Sequence, residues 1–145
     1  MSTRRTRLHI AGHPIHPALV HFPVALWPAS LLSDIVGLWR GDPLWWQLSF
    51  WCLALGLIAA LPAIATGFMD YVSLSNDHPA FGTANTHMLL MASATIAFLV
   101  SLLVRGGPAA TTLAIGFSAL GTALLVAGGW VGGTLVYRHG VGRVE

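Results

Sequence analysis

The sequence predicts an all-α membrane protein, a four-transmembrane-helix up-down bundle. Three observations predict it: too few charges for a soluble surface, four apolar stretches long enough to cross a bilayer, and polar or proline-bearing breaks between them. Only 8% of the 145 residues are charged, where soluble domains carry roughly 25%. Hydrophobic residues make up 55% of the chain and the mean hydropathy is +0.72. Twelve charges cannot cover a domain of this size, so the remaining solvent is lipid.

A hydrocarbon core of about 30 Å takes about 20 apolar residues at about 1.5 Å each. The first span runs from about His16 to Leu38, and Arg40-Gly41-Asp42-Pro43 stops it and starts the next. A second covers about Leu44 to Gly67 and ends before the polar turn Ser75-Asn76-Asp77-His78-Pro79. The third runs from about Thr83 to Val104, and Arg105-Gly106-Gly107-Pro108 is a hairpin into the fourth, about Ala109 to Tyr137. The whole chain, 1–145, reads as one helical domain with no linker. Thr3-Arg4-Arg5-Thr6 is weakly similar to a twin-arginine signal, but prolines interrupt the following span and no small-residue cleavage site follows, so the first helix is expected to stay uncleaved.

Four spans put both termini on one side. Arg4, Arg5, Arg7, Arg138 and Arg143 lie there, against Arg40 and Arg105 opposite, which predicts cytoplasmic termini. Trp39, Trp45, Trp46 and Trp51 mark the far interface; Tyr71, Trp130 and Tyr137 mark the terminal one. The pI of 9.3 reflects arginine in excess of acids and no basic stripe, so nucleic acid is not an expected partner. Lone Cys52 excludes an internal disulfide framework and a CxxC motif. No Ser or Cys has a neighbouring His and acid spaced for nucleophilic or hydrolytic chemistry.

Small residues recur at helical spacing: Gly56, Ala59, Ala63 and Gly67 in the second span, and Gly121, Gly128, Gly129, Gly132 and Gly133 in the fourth. Such faces allow close helix packing, within the bundle or in a homodimer, or leave room for a flat cofactor.

Histidine carries the functional signal. His9, His13, His16, His21, His78, His87 and His139 all fall at the terminal end once the hairpin directions are traced, and Asp70 and Asp77 join them. His21 and His87 lie about one turn inside apolar helices, where ionisable groups face the bundle interior. The first and third helices run parallel and diagonal in such a bundle, so these two imidazoles are expected to face one another as axial ligands of a haem iron. Zn, Cu or non-haem Fe suits neutral imidazole equally. The competing reading has each ring bond a carbonyl freed by Pro23 or Pro28. In His13-Pro14-Ile15-His16-Pro17 the prolines push His13 and His16 off a helical face, into a segment that folds over the bundle mouth or caps it rigidly. Tetrahedral zinc would draw on His13, His16, His87, His139 and Asp70. Asp34 reads as a snorkelling acid near the far interface with Ser30 and Ser33 as partners, although it shares a helical face with His16.

The stretches His13 to Leu26, Ala60 to Asp70, Thr86-His87 and Gly128 to Gly142 together resemble the bacterial membrane-protein family called domain of unknown function 2231. The family pattern matches at His13, His16, His21, Asp70, His87, Tyr137, Arg138 and His139; Thr134 stands where an acidic residue is common. Members fused to Rieske-type iron-sulfur domains imply electron transfer and a b-type haem. On this resemblance the expected function is a small membrane cytochrome with His21 and His87 as ligands. His13, His16 or His139 would ligate a second centre or bond propionates with Arg138, and a quinone or partner subunit would exchange electrons. A metal-binding or sensing membrane protein, and a non-catalytic assembly subunit of a respiratory complex, remain alternatives.

Overall fold

The computed structural model describes residues 9–10, 13–106 and 109–142, with side chains from residue 15 onward. Arg4, Arg5, Arg7 and Arg143, and the side chain of His13, lie outside this description. A short antiparallel pair, β1 (His9–Ile10) with β2 (His13–Pro14), precedes five helices: α1 (Ile15–Leu19), α2 (His21–Arg40), α3 (Pro43–Val72), α4 (Phe81–Leu103) and α5 (Thr112–Tyr137). The four long spans, counting α1 and α2 as one, pack up-down-up-down.

His16 sits inside α1 and not in an extended segment. Pro17 falls in the first turn, where its missing N–H costs nothing, and Val20 N still bonds His16 O at 3.2 Å. The chain breaks at Val20 because Pro23 cannot donate to the carbonyl four residues earlier. Gly41 closes α2 in the left-handed conformation (φ 66°), its N–H on Gly37 O, and Asp42 opens α3 by accepting the Leu44 N–H at 2.9 Å. Two boundaries differ from expectation. Helix α3 continues five residues past Gly67, placing Asp70 in its last turn, and α5 starts at Thr112 because Thr111 caps it on the Ala114 N–H.

Most outer residues are apolar and exposed, as lipid requires, and the core is narrow: Trp27, Leu53, Ala60, Ala94, Phe98 and Leu125. Trp27 and Phe98 stack across the centre at 4.5 Å between ring centroids. Packing is denser within the hairpins α2–α3 and α4–α5 than between them, with α2 and α4 on opposite corners.

The glycine faces act as seats for side chains. A Cβ on Gly56 would meet the Trp27 ring at 2.6 Å, and one on Gly121 would meet Phe98 at 2.9 Å. Gly67 and Gly132 seat His16 and His87, at 2.7 Å and 2.9 Å. Gly129 has nothing within 4 Å.

Candidate functional site

At the terminal end, His16 and His87 are held in the same way. His16 Nδ1 lies 2.9 Å from Ala63 O and 3.3 Å from Thr66 Oγ1, and its ring rests on Gly67 one turn further along α3. His87 Nδ1 lies 2.9 Å from Gly128 O, and its ring rests on Gly132 one turn further along α5. A carbonyl only accepts, so Nδ1 donates in both rings, and in the neutral ring that leaves the lone pair on Nε2. Neither Nε2 has a hydrogen-bond partner among the described residues.

His21, by contrast, is exposed and bonds the Ala18 carbonyl of its own segment at 3.2 Å. The break at Val20 turns α2 so that His16, and not His21, shares the inner position with His87. None of these three rings uses a carbonyl that a proline has freed; the acceptors are Ala18, Ala63 and Gly128. His139 contacts Thr83 Oγ1 at 3.4 Å, bringing the end of α5 to the start of α4, and Arg138 beside it is exposed. His78 Nδ1 accepts the Ala80 N–H at 3.0 Å in the turn before α4. Asp70 is half-buried at the end of α3. Tyr71 OH donates to Asn85 Oδ1 at 2.5 Å, joining α3 to α4 just outside the two histidines. Among the described residues no group of three or more His, Cys, Asp or Glu is gathered to hold a metal ion. The four-ligand zinc set is therefore not assembled by them.

The far end holds a feature that sequence reasoning placed wrongly. Asp34 is 0% exposed and forms a bidentate pair with Arg105, whose side chain is 4% exposed: Nη1 to Oδ1 at 2.9 Å, Nη2 to Oδ2 at 2.6 Å. Arg105 also donates to Ser49 Oγ at 3.0 Å and Ser118 Oγ at 3.5 Å. Ser49 meets Ser30 at 3.1 Å, and Ser118 meets Ser101 at 2.8 Å. One polar network thus joins all four long helices. Asp34 does not snorkel, because a cation from the other hairpin reaches in to it; Ser33 instead bonds Ala29 O. Arg105, expected as a loop charge, follows α4 by only two residues and folds back into the bundle. The signal for the pair was a lone acid inside one span and a lone base just after the end of another on the same side.

Residues 12–145 match DUF2231, a family described as a predicted membrane protein. No curated protein and no solved structure matches the chain.

Proposed function

This chain belongs to the DUF2231 family of predicted membrane proteins, and for it we propose a small membrane cytochrome in which the ring nitrogens of His16 and His87 would hold a b-type haem. One observation carries the reading. Two imidazoles from different hairpins have Nδ1 tied to a helix carbonyl and Nε2 left with its lone pair. Anchoring the far nitrogen on a carbonyl is how ligating histidines are oriented and made more basic. The glycine seats support the fit, since a Cβ at Gly67 or Gly132 would push either ring off its bond. His21 is replaced by His16 in this reading, because His21 is exposed and bonded within its own turn.

A haem so held would supply a one-electron couple whose potential depends on axial ligands, burial and nearby charge. The chain's own contributions are to orient the two imidazoles, to cover the terminal mouth with α1, and to offer Arg138 and His139 as partners for carboxylates at that face. We place both termini on the cytoplasmic side of a bacterial inner membrane. Arg105 is neutralised by Asp34, so Arg40 is the exposed arginine of the far side among the described residues. Electron exchange with a quinone or a partner subunit would then occur at the cytoplasmic face.

The test is the absorption spectrum of protein purified after haem-supplied expression. A Soret band with low-spin reduced bands is expected, abolished or converted in H16A and in H87A and retained in H21A. A colourless wild type, or a low-spin spectrum that survives H16A, overturns the proposal; a colourless wild type with one equivalent of zinc replaces it with the metal-binding reading.

A further inference from the structure

The two hairpins share one construction. His16, Trp27, Ser30 and Asp34 in the first stand 71 positions before His87, Phe98, Ser101 and Arg105 in the second. The returning helices match with an offset of 65: the buried residues of α3 (Ser49, Leu53, Gly56, Ala60 and Ala63) correspond to Ala114, Ser118, Gly121, Leu125 and Gly128, all buried in α5. Contacts repeat as well as positions. Histidine bonds the carbonyl at Ala63 or Gly128 and rests on Gly67 or Gly132; an aromatic ring rests on Gly56 or Gly121; a serine bonds Ser49 Oγ or Ala114 O. A shared 3.6-residue period would align buried faces by chance, but it would not reproduce three sets of partners with the same two offsets.

Residues related by a two-fold axis touch one another only where the axis passes between them. Trp27 touches Phe98, and Asp34 touches Arg105. We infer that the chain is one helical hairpin used twice about an axis along the bundle, and that Asp34 and Arg105 are the positioning pair that sets the two copies face to face. Two unmodified copies would bring like charges together at this level, Asp on Asp or Arg on Arg, buried among serines. Making the level unlike turns that repulsion into a bidentate bond and selects one register. His16 and His87 flank the same axis, so their opposition is set by this pair; that last step rests on the cytochrome reading, whereas the duplication does not.

Exchange variants of the full chain test it, followed by thermal unfolding and monodispersity in detergent. Each single change, W27F or F98W, alters the volume of the central layer, and the double W27F/F98W restores it by seating each ring on the glycine that served its counterpart. The double is expected to melt within a few degrees of the wild type and above both singles. At the ion pair, D34R and R105D should each lose at least tenfold in folded, monodisperse protein, and D34R/R105D should recover most of it. The recovery is expected to be incomplete, because the positions equivalent to Ser49 and Ser118 are Ala114 and Leu53. Doubles no better than the worse single at both levels would overturn the duplication and the positioning role together. Recovery of the aromatic exchange without the charge exchange would overturn the positioning role alone. A low-spin spectrum retained in D34R/R105D and lost in D34R is the arm specific to histidine placement; a colourless wild type defeats the cytochrome reading and leaves the melting results decisive for the duplication.

Discussion

Replacing the seat glycines by alanine should produce a graded series whose order follows from what each new methyl meets. At Gly56 the methyl would stand 2.6 Å from Trp27 Cδ1 and 2.7 Å from Nε1. The indole would have to retreat by about 0.8 Å to reach ordinary contact, and Phe98 stacked behind it at 4.5 Å resists the movement. Overpacking of this kind costs about 1–3 kcal/mol, and G56A should fall at the upper end. In G67A and G132A the displaced ring is an imidazole, and a shift of about 0.6 Å stretches its bond to Ala63 or Gly128 beyond useful length. That adds about 1 kcal/mol to the overpacking and should perturb the low-spin spectrum. In G128A the close contact is the Met91 thioether, at 2.7 Å, which is flexible and can turn aside, and Leu90 Cβ at 3.4 Å is in ordinary contact. Gly129 has open space around it, so G129A gains helix propensity, about 0.5–1 kcal/mol, with no clash. Thermal melts in detergent should therefore rank G129A at or above the wild type, G128A slightly below, and G56A lowest by several degrees. Equal melting of G56A and G129A would refute the seat geometry.

Two further outcomes follow from the far end of the bundle. R105A leaves a carboxylate that is 0% exposed without its cation, and should cost about 3–5 kcal/mol, while D34L/R105M should melt near the wild type, because Ser49 keeps Ser30 and Ser118 keeps Ser101 as partners; a double as damaged as R105A would count against this account. For orientation, a periplasm-dependent reporter should be active when fused after Gly41 and silent at the C-terminus, and the reverse pattern would invert the topology without moving the histidines.

The spans were legible because apolar length and proline-bearing breaks are local properties, and the structure kept all four while moving ends by a few residues. The concentration of histidines at one end was legible for the same reason. Which histidine points inward was not: His16 and His21 are five residues apart, and the choice turned on a helix break at Val20 whose position depends on Pro23. Asp34 was misread because its partner lies 71 residues away in the other hairpin, and nothing local distinguishes a snorkelling acid from a paired one. The duplication was hidden by the very substitutions that make it work. Tryptophan faces phenylalanine, aspartate faces arginine, and the offset drops from 71 to 65 because the stretch from Arg105 to Ala114 is six residues shorter than the equivalent one from Asp34 to Ser49.

Along the axis the three paired levels are joined differently, and the difference bears on where a ligand would act. Asp34 and Arg105 are bonded directly, and Trp27 and Phe98 are in direct contact. His16 and His87 are each bonded within their own hairpin, to Ala63 and Gly128, and no hydrogen bond between them exists among the described residues. The direct contacts between equivalent residues thus lie at the far end and the centre, about 16 Å or more along α4 from His87, while at the terminal end Tyr71 joins the two hairpins by donating to Asn85 Oδ1. A group ligated by both histidines would add a second cross-link at the terminal end, beside the Tyr71–Asn85 bond, so its binding free energy would appear as added stability of the hairpin pairing. On the cytochrome reading, each hairpin presets one imidazole through its carbonyl bond and the bonded far levels join the two hairpins, so part of the ordering cost is met by folding and not by the ligand.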